Sequence, residues 1–276
     1  MPEGPETRRM ANGIARSLVN KNIIEFKFNH DSLTPIQDLD FISIIKVFSR
    51  GKAIVIRLDN GLSIISHNQL YGKWTFNFPQ TIIKTNRQLR IEFSTKSKVV
   101  RLWSATDIKI LQTKDELDHP YIKKLGPDVL DAETDENIIL SQLKSKKVFK
   151  RKLSSILLDQ SVIAGLGNYL RSEILFFSGL MYTLRPIDLN EEEINKLSLE
   201  IKRVSIRAYL QKGKTLDFKT IKKLFGNVEN FKRIKHMVFR RNDAPCFYCG
   251  TEIEKVIVGA RGIFFCAVCQ EQESVF

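Results

Sequence analysis

The sequence predicts a multidomain α+β protein with an N-terminal helix, a β-rich half, a helical region and a cysteine hairpin, in that order. Helical periodicity marks the opening residues, short β-branched and aromatic runs fill residues 23–110, and helical periodicity returns beyond residue 126. All four cysteines follow residue 245. Strands and helices that occur in separate runs are typical of α+β chains.

The N-terminal helix is predicted over residues 6–19. Pro5 suits the first turn of a helix, and apolar side chains recur three and four residues apart from Met10 to Leu18. Hairpin signals mark the strands that follow, because Asp59-Asn60-Gly61 joins two β-branched runs and Lys96-Ser97-Lys98 joins two more. This half is therefore predicted to be a β-sandwich or a barrel.

A domain boundary is predicted at Gly126-Pro127-Asp128, which an acidic stretch follows. Beyond it, helical periodicity predicts helices over residues 137–143, 152–158, 168–177 and 191–210. Asn190 and Glu193 have the spacing of an N-cap and its N3 partner. The predicted domains are residues 1–125, 126–240 and 241–276.

The cysteines form two Cys-x-x-Cys pairs, Cys246 with Cys249 and Cys266 with Cys269. This is zinc-ribbon spacing, because each pair can direct two thiolates at one ion. Four thiolates close the coordination shell and leave no position for water, so one structural Zn²⁺ is expected. The alternative, two disulfides in a secreted protein, is opposed by the absence of a signal-peptide core and of other cysteines.

The composition indicates a folded protein with an anionic partner. The chain has 276 residues, 43% of them hydrophobic, which is enough for two domains and a small appendage. Its 44 basic and 31 acidic residues give a net charge of +13, which indicates nucleic acid first and a membrane surface second. No apolar run approaches the roughly 20 residues of a spanning helix. The expected compartment is the cytoplasm or nucleoid, with no membrane partner.

The opening residues Met1-Pro2-Glu3-Gly4-Pro5-Glu6 combine a potential nucleophile with two carboxylates. Removal of Met1 would leave the secondary amine of Pro2 as the N-terminus. N-terminal amines in model peptides titrate at about pH 7.7–8.0. Attack of this amine on a sugar carbonyl carbon would give an iminium, which is always cationic and favours elimination. The alternative is a solvated, proline-rich tail.

Two loops carry residues that suit nucleic acid. Gly165-Leu166-Gly167-Asn168 would present backbone N–H groups at a helix start, near Arg171 and the basic residues 150–152. A plain helix-turn-helix corner is the alternative. Gln69-Leu70-Tyr71 places a bulky apolar residue and an aromatic ring in a polar loop, which could fill the gap left by an extruded nucleotide. Alternatively, Leu70 and Tyr71 turn back into the core.

These motifs recur in a specific order along the whole chain. They are Met1-Pro2-Glu3-Gly4-Pro5-Glu6 with Arg8-Arg9, Arg50-Gly51-Lys52-Ala53, Ser66-His67-Asn68-Gln69-Leu70-Tyr71-Gly72, Gly126-Pro127-Asp128-Val129-Leu130, Leu157-Leu158-Asp159-Gln160, Ala164-Gly165-Leu166-Gly167-Asn168-Tyr169-Leu170-Arg171 and the four cysteines. In this order and spacing the chain resembles the Fpg/Nei family of bifunctional DNA glycosylase/AP lyases, in particular its endonuclease VIII (Nei) branch.

The resemblance implies an N-terminal helix plus β-sandwich, a helical domain with a helix-two-turn-helix motif, and a C-terminal zinc finger, with DNA in the cleft between the halves. It implies that Pro2 attacks C1′ of the damaged nucleotide and that Glu3 is the general acid and proton shuttle. Glu6 would support the amine, and Lys52 would bind a phosphate and assist proton transfer. The strand would then be cut by β- and δ-elimination.

For the DNA interface, the resemblance implies that Asn168 and Arg261 hold backbone phosphates and that Gln69, Leu70 and Tyr71 form a void-filling wedge. Arg171 is expected to bind DNA as well. The expected partner is damaged double-stranded DNA, bound by a monomer. Two departures stand out: Ile263 follows Arg261-Gly262 where many relatives have threonine, and residues 270–276 have no role that the pattern assigns.

The expected substrate is DNA with oxidised pyrimidines, on the basis of Gly4 and the Gln69-Leu70-Tyr71 motif. One alternative is the formamidopyrimidine-type sibling, which excises oxidised purines with the same catalytic residues. A second alternative, from a different class, is a catalytically silent protein that recognises damaged or bent DNA. The first alternative differs from the expected enzyme in lesion preference, and the second differs in having no strand-cleavage activity.

Overall fold

The computed structural model describes residues 2–216, residue 222 and residues 234–271. The chain divides into two compact units, Met1–Lys124 and Leu125–Phe276, so the boundary lies next to the break predicted at Gly126. The further division of the second unit at residue 240 stays a prediction. Met1 and residues 272–276, and part of the predicted helical domain, lie outside the described residues.

The first unit consists of one helix and two four-stranded antiparallel sheets. The helix α1 spans Gly4–Leu18. The strands are β1 (Glu25–Phe28), β2 (Ile44–Arg50), β3 (Ala53–Leu58), β4 (Leu62–His67), β5 (Lys73–Asn77), β6 (Leu89–Ser94), β7 (Val99–Trp103) and β8 (Asp107–Gln112). One sheet has the order β1-β6-β7-β5 and the other the order β2-β3-β4-β8. The β-sandwich prediction is confirmed, and two separate sheets exclude the single closed barrel.

The core of the first unit lies between the sheets and one face of α1. Ala11, Ile14 and Leu18, which are three and four residues apart, are fully buried and belong to the same hydrophobic cluster as Ile56 of β3 and Phe93 of β6. Burial of an apolar side chain contributes about 1.5–3 kcal/mol, so this stripe fixes the rotation of the helix. The opposite face of α1, which includes Glu6, is therefore available for a site.

The second unit is helical and ends in a β-hairpin. The helices described before the hairpin include α2 (Glu136–Leu143), α3 (Leu153–Ile156), α4 (Asn168–Ser178) and α5 (Glu191–Leu210). The antiparallel strands β9 (Glu254–Val258) and β10 (Arg261–Phe265) follow, and then a short helix, Ala267–Gln270. No helix in the described part of the chain is long and apolar enough to cross a membrane.

Two helix predictions for this unit have different outcomes. The capping pair of α5 is confirmed, because Asn190 Oδ1 accepts the Glu193 N–H at 2.9 Å and Glu193 Oε2 accepts the Asn190 N–H at 2.8 Å. The helix predicted over residues 152–158 is wrong in length, since α3 covers only four residues. Asp159 Oδ1 accepts the backbone N–H and the hydroxyl of Ser161, and this local turn competes with further helix.

Candidate active site and metal centre

The residues with predicted catalytic roles at the N-terminus lie in and before the first turn of α1. Glu3 and Glu6 form a capping box, in which the Glu3 backbone N–H donates to Glu6 Oε2 at 3.1 Å. Pro5 occupies the first turn. Glu3 is only 5% exposed, whereas Pro2 is half-buried. The first turn thus shelters one carboxyl group next to an accessible proline.

A cavity of about 720 Å³ opens beside Pro2, on the face of α1 that does not pack in the core. A Cβ at Gly13 would lie 3.0 Å from Phe76 Cζ, so glycine makes room for the ring that closes one side. The lining consists of Pro2, Glu6, Arg9, Met10, Gly13, Arg16, Ser17 and Phe76. Glu3 and Lys52 do not belong to this lining. The cavity combines the predicted nucleophile with two arginines, which suits an anionic ligand.

Lys52 lies in the tight turn between β2 and β3. Gly51 has φ of +56° at this turn, in the left-handed region that glycine adopts without strain. Lys52 is only 6% exposed, which is unusual for a lysine, and its backbone N–H donates to Tyr121 Oη at 2.9 Å. The turn and the tyrosine together hold the backbone of Lys52 in place.

The wedge loop, which we define as Gln69, Leu70 and Tyr71, projects from the end of β4. Leu70 is 73% exposed and Tyr71 67% exposed, so the alternative that they turn back into the core is wrong. The loop is tight, because the Gly72 N–H donates to the Asn68 carbonyl at 2.7 Å and a Cβ at Gly72 would lie 2.6 Å from Asn68 Cα. Large apolar side chains held outside the core in this way suit contact with a partner.

His67 ends β4 just before the wedge loop, and its Nδ1 accepts the Gln69 backbone N–H at 3.2 Å. Burial lowers the pKa of His67 below its ordinary value, and the charges of Lys52 and His119 act in the same direction. The Asp107 carboxylate acts in the opposite direction on this pKa. His67 is therefore neutral at pH 7, as an acceptor at Nδ1 requires.

In the second unit, Asn168 begins α4 and contacts the cysteine hairpin. Its Nδ2 donates to the Gly262 carbonyl at 3.0 Å, and its Oδ1 accepts a hydrogen bond of 2.7 Å from Arg171. The structure thus brings Asn168 next to the residue after Arg261, which is exposed at the start of β10. Arg171 itself is only 1% exposed, and it also donates to the Ser154 carbonyl at 2.9 Å. It lies inside the fold and orients Asn168.

Glu173 is a structural residue that the sequence analysis missed. It lies on α4, is fully buried, and accepts hydrogen bonds of 2.8, 2.8 and 2.9 Å from the backbone N–H groups of Met237, Val238 and Phe239. The Thr215 hydroxyl donates to the same carboxylate. The available signal was a glutamate at a position where helical periodicity requires an apolar residue. This carboxylate joins α4 to the segment that precedes the cysteine hairpin.

Replacing Glu173 with glutamine is expected to destabilise the protein by about 1–3 kcal/mol, because an amide NH₂ would face a buried N–H that has lost its acceptor. Chemical unfolding of the parent and of Glu173→Gln would measure this difference. Glu254→Gln, on the exposed side of β9, is the matched control and should change stability by less than about 0.5 kcal/mol. Equal losses in the two variants would show that the network around Glu173 is not stabilising.

The four cysteines meet at one point. Their sulfur atoms all lie within 4.8 Å of one another, and the Sγ–Sγ distances are 3.8 Å for Cys246 and Cys269 and 3.4 Å for Cys249 and Cys266. A tetrahedral zinc with bonds of about 2.3 Å separates its sulfur ligands by roughly 3.8 Å, so the cluster fits such an ion. Burial raises the pKa of the Cys266 thiol to about 11. A bound divalent cation would stabilise the thiolates and so offset the free-energy cost of ionising a buried thiol.

Comparison with known proteins covers both units. The model of the formamidopyrimidine-DNA glycosylase N-terminal domain matches residues 1–107, and that of the formamidopyrimidine-DNA glycosylase H2TH domain matches residues 125–220. Endonuclease 8 of Salmonella typhi is 37% identical over 272 residues, which cover 98% of this chain and all of that protein. Endonuclease 8 of Salmonella agona (strain SL483) matches with the same identity and coverage.

Solved structures also match over almost the whole chain. Lactococcus lactis formamidopyrimidine-DNA glycosylase, crystallised with DNA that contains an abasic site, superposes with a TM-score of 0.78 and 22% identity, covering 98% of this chain and all of that one. The same protein bound to DNA with an oxidised pyrimidine has a TM-score of 0.77, with the same identity and coverage.

The fold, the cysteine cluster and these matches define a DNA glycosylase of base-excision repair. The chain belongs to the Fpg/Nei family of DNA glycosylase/AP lyases. The family, the enzyme class and the fold class predicted from the sequence are thereby confirmed.

Proposed function

We propose that this protein extrudes an oxidised base from damaged double-stranded DNA, removes it, and cleaves the strand by β,δ-elimination through an iminium at Pro2. The start of α1 carries the proposal, because Pro2 and Glu6 both line the cavity there and Glu3, the N-cap residue, lies between them in the sequence. A base must leave the stack before its sugar can be attacked, and this costs least at a damaged, poorly stacked base. Damage is in this way partly self-selecting.

The chemistry begins once Met1 has been removed. The secondary amine of Pro2 forms a bond to C1′ while the glycosidic bond breaks; the base leaves with its electron pair and takes up the proton that the amine loses. Glu3, sheltered next to Pro2, supplies the proton that opens the sugar at its ring oxygen. The cationic iminium then draws electrons from the C2′–H bond, so loss of that proton expels the 3′ phosphate, and a second elimination expels the 5′ phosphate.

The other residues near the N-terminus have supporting roles. Glu6, fixed by its bond to the Glu3 N–H, stabilises the positive charge that develops on the amine. Lys52 binds a phosphate next to the reacting sugar and assists proton transfer. The arginines of the cavity, Arg9 and Arg16, add positive potential along the strand.

DNA is held from both units. In the first, the wedge loop fills the gap left by the extruded nucleotide, for which its exposed Leu70 and Tyr71 are suited. In the second, Asn168 and Arg261 bind backbone phosphates, and Arg171 orients the Asn168 amide. Zn²⁺, held by the four cysteines, stabilises the hairpin that carries Arg261. The net charge of +13 favours this polyanionic partner.

We further propose a preference for oxidised pyrimidines. Gly4 and the Gln69-Leu70-Tyr71 motif support it, as do the relatives named Endonuclease 8. A preference for oxidised purines is the second candidate, because solved structures with the same fold include complexes of formamidopyrimidine-DNA glycosylase. One of these was crystallised with an oxidised pyrimidine, so the fold accommodates that lesion too.

Borohydride trapping tests the proposal. The protein, with its N-terminal mass determined, is incubated with matched duplexes that carry an oxidised pyrimidine, an oxidised purine or no lesion. We expect a covalent adduct on Pro2, located by peptide mass spectrometry, and faster trapping on the pyrimidine lesion. Faster trapping on the purine would reverse the substrate preference. No adduct from protein that lacks Met1 would favour the silent damaged-DNA-binding alternative.

A further inference from the structure

The sheet register places Lys52 and the wedge loop at the same end of one sheet. Ala53, the first residue of β3, pairs with His67, the last residue of β4. His67 in turn pairs with Asp107, the first residue of β8. The turn that contains Lys52 and the loop that contains Gln69 therefore leave the sheet side by side.

Tyr121 contacts both of these segments. Its hydroxyl oxygen accepts the Lys52 backbone N–H at 2.9 Å, and its ring centroid lies 4.9 Å from that of His67. His67 Nδ1 accepts the backbone N–H of Gln69 at 3.2 Å. A continuous series of contacts thus runs from the backbone of Lys52 through two rings to the backbone of the wedge loop.

Gln69 needs this support because its backbone is strained. Its φ of +45° lies in the left-handed region, which is unfavourable for a residue with a side chain. Besides the bond to His67, its side chain contacts the Thr106 hydroxyl at 3.2 Å and lies 3.5 Å from Asp107 Oδ2. Strained residues persist where the surrounding structure holds them, and they cluster at functional sites.

We propose that Tyr121 and His67 are positioning residues that hold Lys52 and the wedge loop in one geometry, so that wedge insertion and placement of Lys52 are coupled. The inference rests on the functions proposed above for Lys52 and the wedge loop. Tyr121 acts through the backbone of Lys52, and His67 acts through the backbone of Gln69.

The coupling depends on the protonation of His67. The groups that face it are Asp107 of β8, Lys52, His119 and Tyr121. Burial, Lys52 and His119 keep the imidazole neutral at pH 7, whereas protonation would turn Nδ1 into a donor that faces another donor. The folded-state pKa is lowered, so the support is complete above the ordinary value of about 6.5 and is lost as the pH falls through the lowered pKa.

Two variants test the proposal, Tyr121→Phe and His67→Gln, with Tyr182→Phe from the second unit as the matched control. Wedge insertion is followed by stopped-flow fluorescence of a 2-aminopurine next to the lesion, and formation of the iminium by borohydride trapping at an abasic site. We expect Tyr121→Phe to slow both steps by about tenfold, the effect of one lost hydrogen bond. In combination with Leu70→Ala, it should slow them by less than the product of the separate effects.

The pH dependence of the rate of wedge insertion provides a second test of the proposal. Insertion by the parent should slow as the pH falls through the lowered pKa of His67, and His67→Gln, which does not titrate, should remove this pH dependence. If Tyr121→Phe matches the control, or its effect multiplies fully with that of Leu70→Ala, the proposal is overturned. If Tyr121→Phe fails to fold, the pH profile of insertion by His67→Gln decides. A pH dependence identical to that of the parent would overturn the proposal.

The two readouts separate this inference from the proposed function. A parent protein that inserts its wedge in a Tyr121-dependent manner but forms no adduct would support the positioning pair and refute the lyase chemistry. A parent that forms the adduct at a rate independent of Tyr121 and His67 would do the reverse.

Discussion

Glu3→Gln is expected to lower the rate of base release and strand cleavage by about 10²–10⁴-fold, the range for loss of a general acid. Glutamine preserves the volume of this buried side chain but cannot deliver a proton. The backbone bond from Glu3 N–H to Glu6 remains, so the first turn of α1 should be retained. Single-turnover cleavage of a lesion duplex measures the effect.

Glu25→Gln is the control for this variant, because Glu25 is an exposed carboxylate of the same unit whose only expected loss is a surface ion pair with Lys27. Pro2→Gly provides an independent check, since it replaces the secondary amine and should change the trapped species. Cleavage by Glu3→Gln at the parental rate would remove Glu3 from the mechanism. Parental cleavage by both Glu3→Gln and Pro2→Gly would place the chemistry elsewhere.

Loss of the metal is expected to have the second large effect. Structural zinc contributes about 10–16 kcal/mol of apparent binding free energy at neutral pH, and the hairpin β9–β10 is too small to fold without it. Chelation, or Cys246→Ser, should therefore unfold the hairpin and weaken DNA binding by at least about tenfold, through loss of the Arg261 contact and of Gly262 beside Asn168. Fluorescence anisotropy with a labelled duplex gives the affinity, and mass spectrometry of the native protein gives the metal.

Metal add-back distinguishes a specific site from general damage by the chelator. Zn²⁺ should restore the chelated parent but not Cys246→Ser, whereas Mg²⁺ should restore neither, because it prefers oxygen ligands. A parent that contains no metal, yet binds DNA equally well before and after chelation, would show that the cysteine cluster is not a zinc site.

The features predicted correctly from the sequence are those that neighbouring residues specify. Asn190 and Glu193 lie three positions apart, as do the two cysteines of each Cys-x-x-Cys pair. The sandwich prediction also depended on hairpins between adjacent strands. Such patterns are local, so a single sequence contains them in full.

The features that the sequence did not predict depend on contacts between distant residues. Glu173 bonds to Met237, 64 residues later, and Lys52 to Tyr121, 69 residues later. The burial of Arg171 likewise depends on Ser154 and Gly262, which lie on other segments. Charge and periodicity alone assign an arginine at a helix start to the surface, because they carry no information about what covers it.

Glu173 also links the unfolding of the helices to that of the cysteine hairpin. Its carboxylate holds the backbone of residues 237–239 against α4, and the Ser172 hydroxyl on the same helix accepts the Phe264 N–H of β10 at 3.3 Å. Opening the hairpin alone would leave the Glu173 carboxylate and the Ser172 hydroxyl without these hydrogen-bond donors. Sub-global opening of the hairpin is therefore suppressed. Amide hydrogen exchange in α4 and β10 should therefore follow a single opening free energy, and slow exchange in the helix would depend on whether the metal is bound.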